Sequence, residues 1–236
     1  MACHHACYPS SWLRKGENEA YATRSGMPVV VEPLVIAIDG PGGSGKSTVA
    51  ASLATAMSLP VLSTGVFFRA VAWGLADTGV DDAQVDDWFD RHSVAVEGQL
   101  GVVDGVVLTD ELRSPVVQVS LSKVAASPRV RSHVLDLERR EIERLGECVV
   151  EGRDIGSVVW PHASCKFFLA ARQEVRLRRR PEEGPKLFER DRKDSIRAHA
   201  PLVIADDAFI VDNSDDAVDE LVIRMRELIG VRTGRC

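Results

Sequence analysis

Apolar and polar positions fall into two textures along the chain. Short, nearly unbroken apolar runs at 35–38, 60–63, 148–150, 166–169 and 208–211 have the length and Val/Leu/Ile/Phe content of strands covered on both faces. Between them, apolar residues recur three and four positions apart, the spacing of a helix with one buried stripe. Val49, Leu53 and Met57 form one such stripe, and Phe67, Val71 and Leu75 a second. Val130, Val134, Leu137 and Ile142 form a third that stops at Gly146, and shorter helical patterns run over 116–124 and 217–228. Strands that alternate with helices predict an α/β fold with a doubly wound, mostly parallel sheet of about five strands.

One segment departs from this rhythm. From 94 to 112 the chain reads V-A-V-E-G, G-V-V-D-G and V-V-L-T-D, short β-like runs separated by Gly and Asp turns. This pattern predicts a small antiparallel β insertion apart from the parallel sheet.

The first apolar run ends in D-G-P-G-G-S-G-K-S-T, residues 39–48, and passes directly into the first helical stripe. Strand, glycine-rich turn and helix are the setting that gives G-x-x-x-x-G-K-[ST] its chemical meaning. Gly40, Pro41, Gly42, Gly43, Ser44 and Gly45 let the backbone curl with its N–H groups facing inward, free of side chains. The helix that follows adds its unsatisfied N–H groups and the positive end of its dipole. Lys46 reaches the terminal phosphates as a point charge, the Ser47 hydroxyl suits Mg²⁺, and Thr48 completes the turn. A nucleotide polyphosphate with Mg²⁺ is the expected ligand, and the turn alone does not choose among kinases, GTPases and motor-type ATPases.

Bulk properties narrow the partners. With 29 Lys and Arg against 35 Asp and Glu, the net charge of −6 argues against a broad nucleic-acid or anionic-membrane surface. No apolar run approaches the roughly 20 residues of a membrane span. Cys3, Cys7, Cys148, Cys165 and Cys236 form an odd, scattered set that fits reduced thiols in the cytoplasm. Residues 1–28 lie outside the alternating pattern and read as a disordered leader or upstream extension. Their Cys3, His4, His5 and Cys7 make at most a weak metal site. Residues 29–236 are expected to form a single domain, and a monomer is expected.

Anion binding must then come from local clusters, and arginine gathers near the strand ends where open α/β sheets collect ligands. Arg69 follows the second strand, and Glu151-Gly152-Arg153-Asp154 closes the strand at 148–150. Arg176, Arg178, Arg179 and Arg180 are followed by R-D-R-K-D-S-I-R at 190–197. Planar, permanently charged guanidinium groups suit bidentate phosphate recognition. Neither an N-K-x-D guanine signature nor an L-S-G-G-Q signature is present, which leaves a small phosphotransferase as the expected class.

The ordered set I-D-G-P-G-G-S-G-K-S-T (38–48), S-T-G-V-F-F-R-A (63–70), S-K-V-A-A-S-P-R-V-R (122–131), E-G-R-D-I-G-S-V-V-W-P (151–161), R-D-R-K-D-S-I-R (190–197) and A-P-L (200–202) resembles bacterial cytidylate kinases. That family of P-loop nucleoside monophosphate kinases phosphorylates CMP and dCMP from ATP. The resemblance implies that Arg69, Arg153 and Arg197 hold the CMP phosphate, with Thr64 nearby. It implies that Ser122, Arg131 and Asp154 read the cytosine edge and that Arg190 and Asp194 reach the ribose. Arg176 and Arg179 match positions at the start of a lid, near ATP. Lys46, Arg69, Arg153 and Arg197 are then the catalytic set, residues 94–123 the CMP-binding insertion, and 176–194 the lid.

Four departures stand out. Ser63-Thr64-Gly65 stands where the family usually has Asp-Thr/Ser-Gly, Phe68 takes the place of the usual tyrosine, Trp160-Pro161-His162 replaces Phe-Pro-Asp, and the stretch between Arg180 and Arg190 is shorter than the usual lid. Against this reading stand a non-catalytic nucleotide-binding regulator, suggested by that short lid, and a P-loop kinase acting on a hydroxyl.

Overall fold

The computed structural model describes residues 32–76, 81–197 and 200–235. The expected leader at 1–28, with Cys3, His4, His5 and Cys7, lies outside them. Five strands, β1 (Val35–Asp39), β2 (Val61–Ser63), β6 (Cys148–Glu151), β7 (Cys165–Ala170) and β8 (Phe209–Asp212), form a sheet in the order β2-β6-β1-β7-β8. Every neighbouring pair in it is parallel. Strands β3 (Val94–Glu97), β4 (Leu100–Val103) and β5 (Val106–Leu108) make the expected separate antiparallel sheet.

Alternation along β1 explains why its sequence is apolar throughout. Val35 and Ala37 enter one core, Ile36 and Ile38 the other. The first core is closed by α2 (Gly65–Ala76), α4 (Pro115–Ala126) and α5 (Pro128–Leu145), through Phe67, Val71, Val117, Val134 and Ile142. The inward faces of β3–β5, Val94, Val96, Val103 and Leu108, extend this core. The second core is closed by α1 (Lys46–Met57) and α8 (Val218–Thr233), through Val49, Leu53, Leu221, Met225 and Ile229. Helices α6 (Gln173–Arg179) and α7 (Lys186–Ser195) stand between β7 and β8 in the chain.

Local chemistry sets the helix starts. Ser114 and Ser127 each accept a hydrogen bond from the third helical N–H of α4 and α5, and each is followed by a proline preset for the first turn. By contrast, α1 begins at Gly45 with no side-chain cap and no acid in its first turn. Its first N–H groups are left facing the glycine-rich turn.

Besides α6 and α7, a short helix and a π-helical turn escaped the sequence pattern. Helix α3 (Val85–Arg91) follows a 3-10 turn opened by a capping box in which Asp81 and Gln84 satisfy each other's backbone N–H groups. A π-helical turn, Ile155–Val159, follows the strand-end charges. Asp39, at the end of β1, accepts from Ile155 N–H at 2.7 Å and Gly156 N–H at 2.8 Å, so it anchors that turn to the sheet. Burial drives the Asp39 carboxyl up to about 6 even though those two N–H donors favour the ion.

Where β1 meets the glycine-rich turn, Gly40 adopts φ of +150°, and a Cβ there would lie 2.3 Å from the Leu169 carbonyl oxygen on β7. Backbone cannot yield as a flexible side chain can. Gly40→Ala should therefore lose at least about 2 kcal/mol of stability, measured by urea unfolding; an unchanged midpoint would show that the turn tolerates a side chain.

Candidate active site

The C-terminal ends of β1, β2 and β6, the turn before α1, and the ends of α4, α6 and α7 surround a cavity of about 510 Å³. Gly42, Gly43, Gly45, Lys46, Ser47 and Thr48 line it on the side of the glycine-rich turn. Thr64, Arg69, Ser122, Arg131, Arg153, Asp154, Arg190, Asp194 and Arg197 line the rest, together with Arg179. The residues expected from separate stretches of sequence thus converge on one cavity. Gly40, Pro41 and Ser44 shape the turn behind the wall, and Arg176 also stands behind it.

The glycine-rich turn is braced from outside. Arg176, buried, donates Nε to the Gly42 carbonyl at 2.7 Å and pairs through Nη2 with Asp191. Arg179 donates to the Ser44 carbonyl at 3.2 Å and to the Asn213 carbonyl at 2.7 Å. Asn213 donates its Nδ2 to the same Ser44 carbonyl at 2.8 Å. Arg176, matched in sequence to a position at the start of the lid, here reaches the carbonyl side of the turn.

At the turn's centre, Lys46 Nζ donates to the Pro41 carbonyl at 2.9 Å. Enclosure of the ammonium, with Arg153 facing it, brings the Lys46 pKa down to about 7. Ser47 Oγ donates to Glu151 Oε1 at 2.9 Å, and Ser63 Oγ donates to the same carboxylate oxygen. Glu151 was legible as a strand-end charge but without a role; its meeting with Ser47 needed the register of β6 beside β1, which sets Glu151 opposite Ile38 at the end of the strand that leads into the turn.

Across the cavity, arginines are oriented by carboxylates and carbonyls. Arg153 pairs with Asp191 at 2.5 Å and with Asp194 at 3.3 Å. Arg197 pairs with Asp194 at 3.1 Å, and Arg190 with Glu183 at 3.0 Å. Arg69 donates to the Leu112 carbonyl at 3.1 Å. Burial lowers the pKa of Arg69, Arg190 and Arg197, each of which also feels a neighbouring arginine. Positive charge is therefore crowded where water is scarce, the condition in which a polyanion binds with most gain.

A planar polar pair sits at the far end. Arg131 meets Asp154 at 2.5 Å, lies 5.2 Å over the Phe68 ring, and donates to the Ala125 carbonyl at 3.2 Å. Arg197 donates to that same carbonyl at 3.2 Å, so the end of α4 orients both guanidinium groups. Burial pushes the Asp154 carboxyl up, opposed by Arg131. Behind them the buried Glu138 is held well above its usual range by burial and by Asp154.

A family model described as "Cytidylate kinase" matches residues 36–230. The chain is 35% identical to a cytidylate kinase of Mycobacterium leprae over 217 residues, 85% of this chain and 97% of that protein. It is 41% identical to one from Pelotomaculum thermopropionicum over 208 residues, 79% of this chain and 92% of that protein. A third, from Fervidobacterium nodosum, is 36% identical over 212 residues, covering 84% and 96%.

The depressed Lys46 pKa has a measurable consequence. Below about 7 the ammonium is already charged, and between about 7 and its ordinary 10.5 the enclosed group is mostly neutral. Between these values a bound polyphosphate raises its pKa, so binding must take up protons. Titration of Mg·ATP at pH 8.5 in buffers of different ionisation enthalpy should show uptake that fades towards pH 6 and is lost in Lys46→Ala. Buffer-independent heats at pH 8.5 would place Lys46 at its ordinary pKa.

Proposed function

The chain belongs to the cytidylate kinase family, and from that premise we propose how its residues carry the γ-phosphoryl group of ATP to CMP or dCMP, giving CDP or dCDP and ADP. The observation that supports the assignment of sites is that Arg69, Arg153, Arg197 and Lys46 all line one cavity. The turn at 40–48 holds the donor polyphosphate through its backbone N–H groups, with Arg179 beside it. Arg176 acts from behind, on the Gly42 carbonyl.

Arg69, Arg153 and Arg197 hold the acceptor phosphate. Arg131, Asp154 and Ser122 face the cytosine, whose amino donor and ring acceptors suit a carboxylate beside a guanidinium. Asp194, held by Arg153 and Arg197, and Arg190, beside Glu183, lie where the ribose hydroxyls would sit. Residues 94–123 serve as the acceptor-binding insertion and 176–194 as a short lid. The same reading takes the protein as a monomer, and the substrate pair supports a cytoplasmic location.

No base is required, because the acceptor is already a phosphate dianion near neutral pH. The work left to the protein is to align two polyanions against their repulsion and to neutralise charge on the moving group. Lys46 and the three arginines do this from fixed positions. Hydroxyl and carboxylate oxygens at Ser47 and Glu151, 2.9 Å apart, fit a hard Mg²⁺ ion that also takes phosphate oxygens. When bound, that ion offsets phosphate charge.

A turnover assay with Mg·ATP and a panel of monophosphates should give ADP with CMP and dCMP and little with UMP or AMP. Lys46→Ala should lower kcat by about 10²- to 10³-fold. Equal rates across the panel would remove the cytosine assignment.

Asp154→Asn exchanges an acceptor for a donor opposite the cytosine amino group. The CMP-over-UMP ratio of kcat/KM should fall at least about tenfold. A ratio unchanged in the folded variant would move base recognition elsewhere.

A further inference from the structure

One buried carboxylate touches both sides of the cavity without lining it. Asp191 on α7 is 8% exposed, and both its oxygens are engaged. Oδ1 accepts from the Gly42 N–H at 2.9 Å and from Arg153 Nη1 at 2.5 Å, while Oδ2 pairs with Arg176. Arg176 in turn donates to the Gly42 carbonyl at 2.7 Å. The Gly42 peptide is thus gripped at its N–H by Asp191 and at its carbonyl by Arg176.

This grip is sterically tight. A Cβ on Gly42 would lie 2.5 Å from Leu187 Cδ1 and 2.7 Å from Arg190 Nη2, so α7 rests directly on the turn. Leu187 is fully buried there. The same helix carries Asp194, a second partner of Arg153 at 3.3 Å. Arg153 and the turn therefore share a frame of reference, and that frame is the Asp191 carboxylate.

We infer that Asp191 is a positioning residue that sets the spacing between the donor turn and the acceptor-side Arg153, coupling the binding of the two nucleotides through the docking of α7. The inference rests on the proposed roles of the turn and of Arg153. Donor and acceptor each keep direct contacts that do not involve Asp191: Lys46, Ser47 and Arg179 on one side, Arg69, Arg131 and Arg197 on the other. Loss of the carboxylate should consequently spare each separate affinity and damage alignment. Small misplacements of reacting groups are costly in rate. Coupling between two ligands is reciprocal, so it can be read from either one.

The test uses the full chain with Asp191→Asn, and Arg176→Lys as a second variant that keeps its charge but has one nitrogen in place of the fork that reaches Gly42 through Nε and Asp191 through Nη2. CMP affinity is measured by calorimetry with and without the β,γ-imido analogue of ATP, alongside kcat and both KM values. In the wild type the analogue should tighten CMP binding. In Asp191→Asn that tightening should vanish, kcat should fall by about 10- to 100-fold, and the separate affinities for CMP and the analogue should change less than about threefold. Arg176→Lys should follow in the same direction, and it carries the test alone if Asp191→Asn does not fold. Wild-type kcat and coupling in a folded Asp191→Asn, or a loss confined to the KM of one nucleotide, would overturn the inference. Arg153→Ala run in parallel separates the two layers. If it retains full turnover, the acceptor-site assignment fails; if it is inactive while Asp191→Asn is normal, only the positioning role fails.

Discussion

Everything in the cavity depends on crowding cations into a space that water serves poorly, within a chain whose net charge is −6. Each guanidinium there is held by a named partner: Arg153 by Asp191 and Asp194, Arg197 by Asp194, Arg190 by Glu183, Arg131 by Asp154. Lys46, Arg69 and Arg179 donate to neutral backbone carbonyls, of Pro41, of Leu112, and of Ser44 and Asn213. Burial with Arg153 nearby brings the Lys46 pKa down to about 7.

The fold supplies this arrangement through two packing facts. Parallel strands covered on both faces place Asp39, Ser63 and Glu151 at one edge of the sheet, because all those strands end on the same side. Close approach then replaces side chains with backbone. Gly40 packs against the Leu169 carbonyl and Gly42 against α7, so the turn is held by its surroundings as firmly as by its own sequence. Carboxylates do much of the holding: Asp39 fixes the π turn that follows Asp154, and Asp191 fixes the turn that precedes Lys46.

Much of the site was legible beforehand, and the reasons differ from residue to residue. The turn at 40–48 was readable because its function is local: glycines, lysine and serine act within one strand-to-helix junction. Arg69, Arg153 and Arg197 were readable from their places after strands and from an ordered family resemblance. Glu151 was visible as a strand-end charge, yet its contact with Ser47 joins residues 104 positions apart. Arg176 looked like a ligand arginine beside three basic neighbours, Arg178, Arg179 and Arg180. Only the docking of α6 behind the turn shows that it grips the Gly42 carbonyl.

By itself the sequence determined the alternation of buried strands and one-sided helices, the antiparallel insertion, the anion-binding turn and the class of ligand, since period, turn chemistry and motif spacing are properties of neighbours along the chain. The partnerships of Asp191, Asp39, Arg176 and Asn213, the π turn, and the gathering of arginines from five segments around one cavity were decided only by tertiary structure. A buried charge is tolerable only beside a compensating partner, and which partner that is depends on how α6 and α7 close over the sheet.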